Sequence, residues 1–407
     1  MHYSSFILSN GLRIIHLPSD SPVSYCGYVV NAGARDEQSG QYGLAHFVEH
    51  MLFKGTDKRK VHHILNRMET VGGELNAYTT KEETFLYTVC LQDDIERAIE
   101  LLSDLIYHSK FPETEIEKER EVVIDEIHAY EDSPSELIFD EFENMLFAGN
   151  DLGHGILGEV ESIKSFTSTS CRDFVNDYYR PENMVFFFYG KTPFSKILRY
   201  IEKYSTTIFF KSSLNLLRKR PEIAPTETST KYKNLHQTHI ITGGKAYGLF
   251  DGKRMGLLLL NNILGGPGMN SRLNVSLREK HGLVYTVDTE VVSYTDSGVF
   301  SIYFGCDQES IEQCMNLTRK ELKYLRDRKL SDSQLTAAVK QWKGQLGIAS
   351  EHKENVALRL GKNFLHFNRY DSLSQIYQKI EALTAESLLE IANEIYDEKQ
   401  LFSLIYQ

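Results

Sequence analysis

A chain of 407 residues with an ordinary balance of hydrophobic (41%) and charged (25%) residues is too long for one core and suggests two domains of about 200 residues each. Its net charge of −11 argues against a nucleic-acid binder, which needs a concentrated basic surface, and no run approaches the ~18–20 apolar residues that span a bilayer. Five cysteines (Cys26, Cys90, Cys171, Cys306 and Cys314) lie scattered without C-x-x-C spacing and read as reduced thiols, most of them core fillers.

The opening residues Met1 to Ser5 carry neither a signal peptide pattern nor an Arg-rich transit segment, which points to the cytoplasm unless a presequence has been removed. Phe6-Ile7-Leu8, Asn10-Gly11 and Leu12 to Leu17 form a hairpin signal with its turn dipeptide in place, and a third strand is expected over Tyr25 to Val30.

The stretch from Gly43 to Thr56 contains His46-Phe47-Val48-Glu49-His50. As a helix it sets His46 and His50 one turn apart on one face with Glu49 beside them, while Leu44, Phe47, Met51 and Leu52 are left to pack. Two imidazoles at i and i+4 can share one Zn²⁺ at roughly 2.0–2.1 Å each, and the adjacent carboxylate can serve as general base toward water activated there. The order H-x-x-E-H is the inverted zincin arrangement. A helix buried for packing alone gains nothing from such a stripe, since unpaired polar groups in a core cost several kcal/mol.

A second helix follows, with Val61, Ile64, Leu65, Met68 and Val71 at helical spacing and Gly72-Gly73 as its stop. Strands are expected at Glu74 to Thr80 and Thr84 to Leu91, then helices near Asp94 to Tyr107 and Glu113 to Tyr130. The last of these is where a third metal ligand would come from. Glu119 and Glu126 lie seven apart on one face, and Ile116, Val123 and Ile127 form an apolar stripe; one carboxylate can bind metal while the other supports a ligating group. Glu117 and Glu121 read as surface residues.

A strand at Met184 to Gly190 closes the first half. The segment 212–231 reads as a linker whose Arg218-Lys219-Arg220 is a solvated loop. The second half repeats the plan: a strand at His236 to Thr242, a helix at Arg254 to Leu264, a Gly-rich loop, a helix ending at Lys280, strands at Leu283 to Val292 and Gly298 to Gly305, and helices from Ser310 onward. In the place of the His46 helix stands Met255 to Asn262, without a ligand.

His46-Phe47-Val48-Glu49-His50 followed by Glu119-x6-Glu126 resembles the pitrilysin-like (insulinase-like) metallopeptidases, in the short-chain branch of mitochondrial and bacterial processing peptidases. Gly72 to Thr79 is similar to that family's edge strand beside the metal, and Arg278-Glu279-Lys280-His281-Gly282-Leu283-Val284-Tyr285 to its substrate-binding segment. The resemblance implies an α+β fold of two similar domains, each an antiparallel-rich sheet with helices on one face, together half of a clamshell. The domains would be residues 1–211, with one Zn²⁺, and 232–407, without metal. It further implies His46, His50 and Glu126 as ligands, Glu49 as base and Glu119 as support. Substrate would lie along Asn76 and Ala77 and meet Arg278 and Tyr285 across the boundary of a homodimer.

The activity so implied is zinc-dependent endoproteolysis of short or unfolded polypeptides inside the chamber. A processing-peptidase-like subunit that needs a distinct metal-free partner, and a non-catalytic core or assembly subunit of the same fold, are the competing readings. The intact set of ligands and base speaks against the last.

Overall fold

The structure, a computed structural model, describes residues 2–205, 218–222 and 227–407. The chain runs through β1 (Ser4–Ile7), β2 (Arg13–Pro18), β3 (Val23–Val30), α1 (Leu44–Leu52), α2 (Val61–Glu69), β4 (Glu74–Thr79) and β5 (Thr84–Leu91). It continues with α3 (Ile95–His108), α4 (Glu113–Glu131), α5 (Pro134–Leu146), α6 (Val160–Ser165), α7 (Ser168–Tyr178), β6 (Met184–Gly190) and α8 (Phe194–Tyr204). The later part holds β7 (Ser229–Lys231), β8 (Thr238–Ala246), α9 (Arg254–Gly265), β9 (Val284–Ser293), β10 (Gly298–Cys306) and α10 (Ile311–Asp327). Then come α11 (Asp332–Ala349), α12 (Lys353–Phe367), α13 (Leu373–Glu381), α14 (Ala385–Ile395) and β11 (Phe402–Tyr406). No helix among the described residues is long and apolar enough to cross a membrane.

Two compact units result. The first combines residues 1–129, 154–218 and 350–372, the second residues 130–153, 219–349 and 373–407. Their cut differs from the contiguous division at 211 and 232, because each unit takes one helix from the other half of the sequence. Of the expected linker 212–231, residues 212–217 and 223–226 lie outside the described residues.

In the first unit the strand order is β1-β2-β6-β3-β5-β4, antiparallel throughout except for β2 beside β6. Alternation along its strands explains the layering. Tyr28, Val30, Leu86, Phe186 and Phe188 face a core built with α1 and α3, whereas Val29, Phe85, Tyr87, Val185 and Phe187 point the opposite way. A sheet apolar on both faces must be covered on both. The second cover is α12, whose Val356, Ala357, Leu360 and Phe364 pack on that face. Helices on one face only is therefore too simple: β6, Met-Val-Phe-Phe-Phe-Tyr-Gly, is buried at every position.

The second unit repeats this with order β7-β11-β8-β10-β9, again with one parallel pair, β7 and β11. Phe300, Ile302 and Phe304 face α9 and α14, while Val299, Tyr303, Phe402 and Leu404 face α5 through Ile138, Phe142 and Leu146. Where a helix ending at Lys280 was expected, Asn274–Glu279 makes a π-helical turn. All five cysteines are buried and free.

Candidate metal centre

Helix α1 is entered through the capping residue Gly43, which takes φ +95°, a conformation that strains any residue with a Cβ, and a Cβ there would lie 2.5 Å from the Leu157 carbonyl oxygen. The first amides of α1 have no partners within the helix, so Glu37 supplies them: its Oε2 accepts from Gly43 N at 2.8 Å and its Oε1 from Ala45 N at 2.7 Å. His154 Nε2 donates to the same carboxylate at 3.0 Å. Neither Glu37 nor His154 is visible as a partner from sequence, because nothing local marks a carboxylate that caps a helix several residues downstream.

Leu44, Phe47, Val48, Met51 and Leu52 pack into the core, and this turns His46, Glu49 and His50 toward α4. There Glu126 Oε2 lies 3.8 Å from His46 Nε2 and 3.6 Å from His50 Nε2. One donor atom from each of the three residues falls within 4.8 Å of the others. Two ligands about 2.1 Å from one tetrahedral ion are about 3.4 Å apart, so these separations suit a shared divalent ion.

The donors also have the chemistry for it. Neither ring nitrogen of His46 has a hydrogen-bond partner among the described residues, and Nε2, 3.8 Å from Glu126 Oε2, is left open to an ion. Burial, helped by the neighbouring His50, pushes the His46 pKa down to about 3, so the ring is neutral with a lone pair to offer.

His50 is treated differently. Burial opposes its charge, but the Glu119 hydrogen bond and the nearby carboxylates of Glu49, Glu119 and Glu126 outweigh this and raise its pKa. That same negative surround favours a cation. Nδ1 lies 2.9 Å from Glu119 Oε1, and a carboxylate can only accept, so Nδ1 carries the proton and Nε2 is free to ligate. Glu119 in turn pairs with Lys54 Nζ at 2.5 Å; burial of its carboxyl is overcome by His50 and Lys54, which hold its pKa below the usual carboxylate range.

Glu49 is buried beside this group, and burial raises its pKa despite the Thr79 hydroxyl, which donates to Oε2 at 2.6 Å. Oε1 has no hydrogen bond among the described residues. Thr79 ends β4, which among the described residues bonds β5 alone, with Asn76 opposite Tyr87 and Ala77 opposite Leu86. Asn76 and Ala77 thus sit on the edge strand of the described sheet, in the same unit as the donor cluster.

The turn after β4 is held by buried charge. Glu82 takes Arg35 at 2.6 Å; Glu83 takes His366 Nε2 at 2.6 Å and Lys362 at 3.1 Å, both from α12. Arg218 bonds Asp36 at 2.7 Å and the Glu82 carbonyl at 2.9 Å. The expectation that Arg218 belongs to a solvated loop is corrected here. The Asp36 and Glu82 side chains, 4% and 3% exposed, require cationic partners, and Arg218 is one, while Lys219 and Arg220 are exposed.

Arg278 and Tyr285 lie in the second unit. Arg278 is part of the π-helical turn, half exposed, with Glu279 3.9 Å away; Tyr285, near the start of β9, is 81% exposed. The sequence reading passed over Lys54 and Thr79. Lys54, four residues after His50, carried a spacing signal; Thr79 carried none.

The family description "Insulinase (Peptidase family M16)" matches residues 14–160, and "Peptidase M16 inactive domain" matches residues 165–342. The chain is 32% identical over 402 residues to an uncharacterized zinc protease of Bacillus subtilis, covering 98% of this chain and 97% of that one. A similarly described protein of Streptomyces coelicolor is 30% identical over 410 residues, covering 98% and 88%. A protease from Helicobacter pylori of known crystal structure has the same fold, with TM-score 0.93 at 21% identity over 100% of this chain and 99% of that one.

Proposed function

This chain belongs to the insulinase family of peptidases, M16, and from that premise we propose that it is a zinc-dependent endopeptidase acting on short or unfolded polypeptides. The observation that carries the reading is the meeting of His46 Nε2, His50 Nε2 and Glu126 Oε2 around one point, with the Glu49 carboxylate beside them.

In this reading His46, His50 and Glu126 hold the ion. When bound, a divalent ion of this kind polarises a scissile carbonyl and acidifies water. Glu49 takes the proton from the attacking water and returns it to the leaving amine. Its raised pKa suits both halves of that task, and Thr79 fixes its carboxyl so that Oε1 is the working oxygen. Substrate adds to the outer edge of β4 as an extra strand along Asn76 and Ala77, held by backbone hydrogen bonds with little sequence preference. Arg278 and Tyr285, each with a donor suited to a substrate carbonyl, act from a second copy of the chain in a homodimer.

The test is cleavage of a quenched-fluorescent peptide library by the purified chain. Chelator should abolish turnover, and Glu49→Gln should lower it ~10²–10⁴-fold while the ion stays bound. Turnover indifferent to both changes would overturn the reading. Mixing an Arg278→Ala, Tyr285→Phe chain with a Glu49→Gln chain should recover activity absent from either alone; no recovery removes the dimer from the account. An inert monomer in isolation would instead favour a subunit that needs a metal-free partner.

A further inference from the structure

We propose that Lys54 is a positioning residue for the metal centre, fixing the plane of the Glu119 carboxylate and through it the ring of His50. The inference rests on the reading of His46, His50 and Glu126 as the ligand set.

Glu119 makes two contacts, one through each oxygen. Oε1 lies 2.9 Å from His50 Nδ1, and Oε2 lies 2.5 Å from Lys54 Nζ. The Glu119 side chain is only 5% exposed, so water is a poor substitute for either partner. An ammonium has three donors and no acceptor, so Oε2 accepts from Lys54 and Oε1 is left to accept from His50.

The terminal torsion of a glutamate is broad and roughly two-fold, so one hydrogen bond leaves the carboxyl plane loosely defined, while two bonds to opposite oxygens fix it. A fixed acceptor then fixes the imidazole plane, because Nδ1–H must point at it. With that plane set, Nε2 stays directed toward Glu126, 3.6 Å away.

Where Lys54 sits in the chain strengthens the point. It stands two residues past the end of α1, and its amide bonds Met51 O at 3.1 Å, so its anchor belongs to the helix that carries His50. The series His50, Glu119, Lys54 therefore leaves α1, touches α4 and returns. Glu119 and Glu126 are seven residues apart on α4, about 10.5 Å along its axis, so the clamp also pins α4 within two turns of the ligand it delivers. A surface ion pair would be worth little, but this one is built on a buried carboxylate that already contacts a ligand.

The test is a double-mutant cycle in the full chain, read as Zn²⁺ affinity by competition with a chromophoric chelator, with an unchanged circular-dichroism melt confirming that the unit carrying Lys54 and Glu119 is folded in each variant. Lys54→Met should weaken Zn²⁺ binding ~10–100-fold, and Lys54→Arg, which keeps a cation, should recover most of the loss. Because Lys54 acts through Glu119, adding Lys54→Met to Glu119→Gln should cost little beyond Glu119→Gln alone. Zn²⁺ binding by Lys54→Met within about twofold of the unaltered chain, or losses that simply add in the double variant, would overturn the inference. An unaltered chain that fails to bind Zn²⁺ would overturn the ligand reading beneath it.

Discussion

The two units are built on one plan and differ in what their equivalent helices carry. In each, a helix follows the strand at the middle of the sheet, a hairpin supplies the edge, and the one parallel pair sits at the far side. Yet α1 presents His46, Glu49 and His50, where α9 presents Leu257, Leu258, Leu259 and Leu260. The long helix α4 brings Glu119 and Glu126, while α11 has no carboxylate after its first residue, Asp332. The same backbone arrangement supports a candidate metal site or an apolar contact according to a handful of side chains; the scaffold by itself carries no chemistry.

Removing one donor is the sharpest way to break this contrast. Glu126→Gln should leave the first unit, like the described part of the second, without a three-donor cluster, weakening Zn²⁺ binding at least ~100-fold while leaving the fold intact, as checked by metal analysis and circular dichroism. Retained zinc would mean that the difference between the units does not lie in this donor set.

The exchanged helices test the common plan. Phe142, from the first half of the sequence, is fully buried in the second unit and stacks on Phe402 at 4.4 Å between ring centroids. Phe142→Ala should cost ~3–5 kcal/mol. The single tryptophan, Trp342, lies in the second unit, so its fluorescence should report the loss in a denaturant titration. Gly361 is the converse case: α12 approaches β6 so closely that a Cβ there would lie 2.6 Å from Phe187 Cδ1. Gly361→Ala should cost ~1–3 kcal/mol through overpacking in the first unit, read as an earlier loss of ellipticity.

Acid should separate the units more gently. His46 is held at about 3 by burial and His50, against ~6.5 for a free imidazole, so the unfolded chain binds more protons between those values. The contribution of His46 to stability is complete above ~6.5 and falls away as pH drops toward 3. For Glu83, burial is outweighed by the His366 hydrogen bond and the Lys362 charge, which bring it to about 2; its contribution is present above ~4.5 and is lost as pH falls toward 2. In ion-free protein, lowering pH from 7 to 4 should therefore depress the ellipticity midpoint before the Trp342 signal moves, and His46→Gln should flatten the slope above pH 4.5.

Much of this was legible because it is local. The i, i+4 pairing of His46 and His50, the seven-residue step from Glu119 to Glu126, and the period-two and helical stripes of β3 to α4 each need only a short window. The exchange of α5 and α12 was not. The apolar stripe of Val356, Ala357, Leu360 and Phe364 says that α12 is buried, but periodicity does not name the surface that buries it. The unbroken apolar run of β6 is what a strand covered on both faces requires, and the expectation of helices on one face did not use it. Nothing local marks Lys81-Glu82-Glu83 as buried, because the partners Arg35, Arg218, Lys362 and His366 are remote in sequence, and a buried charge is recognised only through its partner.

Anomalous diffraction at the zinc edge, from crystals of the unaltered chain grown with Zn²⁺, addresses the donor set most directly. The account predicts one strong peak per chain, roughly 2.0–2.1 Å from His46 Nε2, His50 Nε2 and a Glu126 oxygen, with none against α9. A map empty between α1 and α4, or an ion bound by other residues while these three remain apart, would contradict it.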